Sequence, residues 1–208
     1  MEAKKYTPGE EFANTFTHSL GALMSIYGIV MLAVSSKNAV QATSTAIFGA
    51  SMFLLFQSSA CYHAMTNDTA KRVFQKIDHS AIYLLIAGTF TPVLLLTVKF
   101  PLCIALLAMI WYLAITGVVF SCTTLKSKHL STGLYLLMGW LSVFLVYNLW
   151  TTSQLSLWLF LAGGLFYSLG CVFYLLKIRY MHSIWHLFVI GGATMHYFAI
   201  FELLKAVN

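Results

Sequence analysis

Seven stretches of this chain run for some twenty residues almost without a charged side chain: Thr17 to Ser36, Val40 to His63, Asp78 to Val98, Pro101 to Leu125, Leu130 to Trp150, Gln154 to Leu176 and Ser183 to Leu204. Only Asp78, at the start of the third, and Glu202, near the end of the seventh, interrupt them. About 20 apolar residues in a helix cover the hydrocarbon core of a bilayer, and a helix satisfies its own backbone polar groups there. Spanning β-strands would alternate in hydrophobicity over about 10 residues, and these runs do not alternate. The breaks between them, such as SSKN, NDTAKR and LKSKH, are polar or basic. Charged residues make up 9% of the chain, against about a quarter in a soluble domain, too few to clothe a surface in water. The expected fold is an all-α integral membrane protein, with residues 1–208 forming one domain of seven transmembrane helices. No internal repeat or long linker divides it.

Lysine and arginine orient the bundle, because short cytoplasmic loops hold the excess of both. Nine of the twelve fall on one side: Lys4 and Lys5, Lys71, Arg72 and Lys76, Lys126 and Lys128, Lys177 and Arg179. Lys37, Lys99 and Lys205 fall on the other. This bias predicts a cytoplasmic N-terminus and an external C-terminus. It also accounts for the net charge of +6 without a nucleic-acid partner. The first apolar run is longer than a signal-peptide core, and SSKN is not a small-residue cleavage site, so no cleaved leader is expected. Cys61, Cys103, Cys122 and Cys171 stand singly in apolar segments and read as small buried hydrophobes rather than a disulfide framework.

In that topology His18, His63, His79, His129, His182 and His186 all lie at cytoplasmic ends of spans, and only His196 lies deeper. Asp78 sits at the same level, with Ser59 one turn above His63. Helical residues four apart differ by about 40° and 6 Å. His182 and His186 therefore share a face, as do Ser59 and His63. Three neutral imidazoles with one further position for water is a usual open zinc arrangement, and Asp78 is placed to hydrogen-bond that water or orient a histidine. Ionisable groups inside spans are costly and tend to serve function. His18, His79 and His129 read instead as interfacial or hydrogen-bonding groups. His196, about 15 Å deeper at 1.5 Å per residue, reads as a polar contact within the bundle. Trp111, Trp140, Trp150 and Trp158 suit an aromatic belt, Pro92 a kink eased by Thr89 or Thr91, and Gly164 with Ser168 a helix interface.

The segments ANTFTHSLGA, SSACYH, KIDHSAIYLLIAGTFTP, YLLMGW and HSIWHLFVIGGATMHY together resemble the bacterial hemolysin III family, the prokaryotic branch of the PAQR group that includes the adiponectin receptors. The likeness covers nearly the whole chain. It implies seven helices with a cytoplasmic N-terminus in a bacterial inner membrane, and zinc held by His63, His182 and His186 with Asp78 and Ser59 behind. Members of the group are treated as hydrolases, receptors and membrane-homeostasis factors. Three readings follow. One is a zinc-dependent hydrolase of a lipid amide or ester near the cytoplasmic face, with Asp78 as general base, Ser59 as orienting group and membrane lipid as substrate; a superfamily of similar motifs contains ceramidases. HSIWH lacks the glutamate of H-E-x-x-H, so the site is not of that protease type. The alternative is a non-enzymatic homeostasis or receptor-like protein whose zinc clamps helices. The third is a cytolytic pore-former, for which helices 4 to 6 offer few polar groups beyond Thr, Ser and Asn148.

Overall fold

In a computed structural model the protein is described over residues 6–123 and 128–208. Lys4, Lys5 and Lys126 of the charge count lie outside these residues, as do the end of the fourth run at Leu125 and the side chain of Lys128. The chain forms α1 (Pro8–Ser35), α2 (Ala39–Ala64), α3 (Asp68–Thr97), α4 (Leu102–Thr123), α5 (Lys128–Trp140), a 3₁₀ turn (Leu141–Leu145), α6 (Val146–Thr152), α7 (Gln154–Leu175) and α8 (Met181–Val207). Among the described residues seven helices are long and apolar enough to cross a membrane, with α5 to α6 acting as the fifth.

Two helices begin well before their apolar runs, and capping explains both. Thr7 and Glu10 close a capping box around Pro8, which stands in the first turn, so two orphan amides are satisfied and the proline costs no hydrogen bond. α1 thus starts nine residues ahead of Thr17. Asn67 accepts from the amides of Thr69 and Ala70 at 3.0 Å and starts α3 ten residues ahead of Asp78. Asp78 therefore sits nearly three turns inside α3, and not at its start as the charge-free run implied. The fifth run differs too: its expected single helix is divided by the 3₁₀ turn after Trp140.

Pro92 leaves α3 unbroken. The flanking hydroxyls of Thr89 and Thr91 donate to the carbonyls of Leu85 and Ala87 at 2.8 Å, while Thr91 also accepts from the Trp111 indole at 3.1 Å. α3 is the most enclosed span, with 67% of its apolar window buried against 22% for α4. It packs between α2 and α4, α1 lies on α2, and α7 lies on α8. α5 touches its neighbours only sparsely. Around the outside Phe12, Val34 and Phe144 are 71%, 78% and 77% exposed, as are many other large aliphatic and aromatic side chains. Such a surface is unfavourable in water and natural in lipid. The protein is a multi-pass membrane protein.

Polar contacts tie the helix ends. At one end Glu10 accepts from the Tyr180 amide, which joins the start of α1 to the turn before α8. At the other end the Gln41 amide donates to Asn208 at 2.8 Å, and Asn208 donates to the Ser35 carbonyl. The end of α8 is thereby held against the α1–α2 turn.

Candidate metal centre

His63 comes from the last turn of α2, and His182 and His186 from the first turns of α8. One ring nitrogen from each lies within 4.8 Å of the others. The Nε2 atoms of His63 and His182 are 3.2 Å apart. Two ligands of a tetrahedral zinc, each ~2.05 Å from it, would be about 3.4 Å apart.

The remaining nitrogens show which face of each ring is available. His63 Nδ1 meets a carboxylate oxygen of Glu11 at 2.6 Å. A carboxylate only accepts, so Nδ1 carries the proton and Nε2 keeps a lone pair. His186 Nδ1 lies 3.2 Å from the Asn14 carbonyl, again an acceptor, and 3.1 Å from the Thr17 hydroxyl. Its Nε2 is therefore unprotonated, and it is buried with no hydrogen-bond partner. A buried lone pair without a donor is unfavourable unless something electrophilic meets it. Histidines that ligate metals commonly donate their other N–H to a carboxylate or carbonyl in this way. The donor set and its tautomers fit a divalent metal with nitrogen ligands such as zinc.

α1 supplies no ligand to this group but supplies its supports. Glu11 also accepts from Lys71 of α3 at 2.5 Å, and the Asn14 side-chain oxygen accepts from Ser183 of α8 at 2.5 Å. The ring of His18 is 1% exposed and stacks on His186 with centroids 3.5 Å apart. Tyr6 stacks on His182 at 5.0 Å, and Trp185 lies 4.9 Å from the same ring.

Asp78 and Ser59 do not belong to the histidine group. Both are buried, Asp78 on α3 and Ser59 on α2, and the Ser59 hydroxyl has no hydrogen-bond partner among the described residues. Asp78 forms part of the wall of a cavity of about 120 Å³ enclosed by α3, α5, α7 and α8. His18, Tyr174 and Trp185 line the same cavity, and the last two are in ring contact with His182. Beyond them the wall is largely aliphatic and aromatic, with Ile82, Ile86, Phe90 and Val189, and it reaches His196.

The expectations for the other polar residues divide. His129 is exposed and His79 half-buried, in keeping with interfacial positions. His18 is fully enclosed at the site rather than interfacial. His196 is a bundle contact, 3.0 Å from the Phe160 carbonyl. Gly164 is not at a close helix contact, since a side chain there would meet nothing within 4 Å, whereas Ser168 accepts from the Trp140 indole of α5 at 3.0 Å; both residues line the cavity. Reading by spacing missed Glu11 and Asn14 and set His18 apart from the site. Their separations of three and seven residues put three polar groups on one face of α1, and that pattern was the available signal.

Seven helices long and apolar enough to span a membrane, a largely buried three-histidine cluster and an apolar cavity beside it define the class to which this protein belongs. A family model described as "Haemolysin-III related" matches residues 6–197. Hemolysin-3 of Bacillus cereus is 42% identical over 197 residues, covering 92% of this chain and 90% of the relative. The Hemolysin-3 homolog of Bacillus subtilis (strain 168) is 43% identical over 201 residues, covering 94% of each. The human monocyte to macrophage differentiation factor is 31% identical over 208 residues, 96% of this chain and 87% of the relative. The chain belongs to the hemolysin III family, within the PAQR superfamily.

Proposed function

We propose that the protein is a zinc-dependent hydrolase of a membrane lipid amide or ester, its metal held by His63, His182 and His186. The observation that carries this reading is the cavity, which brings a long apolar space to Asp78 and to the aromatic rings packed on His182. A lipid chain seated there would present its amide or ester carbonyl at the histidine end. Zinc bound at three histidines supplies Lewis-acid polarisation and lowers the pKa of water toward neutrality. Asp78 takes the proton of the attacking water and returns it to the departing amine or alcohol as the C–N or C–O bond breaks. Ser59, on the facing helix, would turn its otherwise unpartnered hydroxyl to the Asp78 carboxylate or to the attacking water. Glu11 and the Asn14 carbonyl hold His63 and His186 in the tautomers that leave Nε2 available. The surrounding helices exclude bulk water, which strengthens each of these interactions. The direct test is a lipid-hydrolysis screen on the purified protein beside its Asp78→Asn variant.

A second reading has its own support. Bonds from Glu11, Asn14 and Thr17 run from α1 to both ligand-bearing helices, as a structural zinc clamp in a receptor-like or homeostasis protein would also require. In either case Glu11 governs the metal through His63. Glu11→Gln removes the charge and weakens the grip on the ring, so zinc affinity is expected to fall ~10–100-fold. Competition with a fluorescent chelator measures this; affinity equal to wild type would remove Glu11 from the site.

The orientation we propose is a cytoplasmic N-terminus and external C-terminus, in a bacterial cytoplasmic membrane and as a single domain over 1–208. It rests on the nine-to-three distribution of lysine and arginine. A reporter active only outside the cytoplasm is expected to give signal when fused after Asn208 and none when fused before Met1. The reverse pattern would move the histidines to the outer face.

A further inference from the structure

Two residues of the cavity wall far from the histidine cluster each carry a buried polar atom with no hydrogen-bond partner among the described residues. His196 of α8 is 8% exposed, and its Nε2 lies 3.0 Å from the Phe160 carbonyl. A carbonyl only accepts, so Nε2 holds the proton and Nδ1 presents a lone pair. That Nδ1 is buried without a hydrogen-bond partner. The hydroxyl of Tyr167, on α7, is buried and unpartnered as well. The two rings meet edge to face with centroids 5.4 Å apart, and both residues line the cavity.

The pair is held in place. The His196 ring lies flat on Phe160 with centroids 4.3 Å apart and planes 13° from parallel. The absence of a side chain at Gly163 is what admits the imidazole, since a Cβ there would collide with the ring. Tyr167 likewise closes over Gly192 of α8, whose Cβ would come 2.9 Å from its ring. Two glycines on facing helices thus make room for the two polar rings. Buried polar groups are ordinarily paired, and an unpaired acceptor beside an unpaired donor is unfavourable unless a ligand completes them.

We infer that His196 and Tyr167 form a recognition station for a hydroxyl group borne on an acyl chain. The hydroxyl would donate to His196 Nδ1 and accept from the Tyr167 phenol. A group that both donates and accepts answers the lone pair and the O–H together, and a hydroxyl is the smallest such group an acyl chain carries. A ketone or ether answers the phenol alone, and a plain methylene neither. A charged group is excluded by the cost of burying it in an apolar cavity. His196 lies ten residues beyond His186 on the same helix, ~15 Å along its axis. A lipid with its head at the histidine cluster would therefore bring a hydroxyl to this station part-way down its chain. The station concerns binding and stands whether or not the protein hydrolyses what it binds.

The test uses the full-length, zinc-loaded protein in detergent, with octadecanoic acid and the same acid bearing a mid-chain hydroxyl as competing probes. Bound lipid is counted by native mass spectrometry. Wild type is expected to prefer the hydroxylated chain about ten-fold, as two modest hydrogen bonds would give. Tyr167→Phe deletes one oxygen and keeps the ring, so it is expected to retain thermal stability and zinc while losing most of the preference. His196→Phe is expected to abolish it. Equal binding of the two acids by wild type, as when a trapped water already satisfies the pair, would overturn the inference. So would a preference that survives both substitutions. A preference shown by a protein with no lipid hydrolysis would uphold the station and count against the hydrolase reading alone.

Discussion

Protein purified without chelator is expected to carry about one zinc per chain, and His186→Ala close to none. His186 is chosen because its Nε2 is buried and unpartnered while its Nδ1 is engaged by the Asn14 carbonyl, so the ring is set up for one task. Removing it leaves two imidazoles, too few protein ligands for a tight site. The same loss is expected for His63→Ala. His18→Phe provides the contrast. His18 stacks on His186 but is not in the ligand group, and phenylalanine retains a ring in that place, so this variant is expected to keep its metal. Elemental analysis of the three variants beside wild type decides the matter. Wild type devoid of metal, or His186→Ala as full as wild type, would end the zinc reading. Metal loss should also appear as a lower melting temperature, because the cluster joins α2 to α8.

The seven spans were legible because a bilayer imposes one simple demand, a long uncharged run, and the chain meets it seven times. Helix starts were not legible from that demand. Thr7 and Asn67 begin α1 and α3 outside the hydrocarbon-compatible residues, and their capping signals lie among charged side chains where a count of apolar residues stops. That error propagated. With the first span taken from Thr17, Glu11 and Asn14 fell in the tail and His18 at its rim, so the supporting face of α1 went unread. The pairs that carry the clustered histidines were easier. His182 and His186, like Ser59 and His63, lie one helical turn apart, a regularity that spacing carries directly. The contact between α1 and those pairs spans more than 160 residues from Asn14 and Thr17 to α8, and local periodicity holds no record of it. The break of the fifth span at Leu141 was hidden for the opposite reason, since the run around it carries no charge and no proline.

The substitution Asp78→Asn is expected to leave zinc and fold intact and to remove nearly all lipid hydrolysis. Asp78 lies outside the three-histidine group, so the protein–metal bonds do not depend on it, and loss of a supporting partner typically costs a metal site ~10–100-fold in affinity, which a tight site survives. Asparagine matches the carboxylate in shape and can still face Ser59. It cannot accept a proton from the attacking water, and general-base assistance alone is typically worth ~10²–10⁴-fold in rate. The measurements are zinc content, thermal stability and turnover of lipid amides and esters, taken on wild type and variant together with a cellular phenotype. A clamp makes a different demand on the same residue. If zinc serves only to join helices, Asp78→Asn retains the phenotype for as long as it retains the metal. Zinc and stability kept with turnover lost would establish Asp78 as the base. A variant that keeps metal, stability and phenotype, in a protein for which no lipid substrate is turned over, would move the assignment to the structural clamp, with the α1 network of Glu11, Asn14 and Thr17 as its frame.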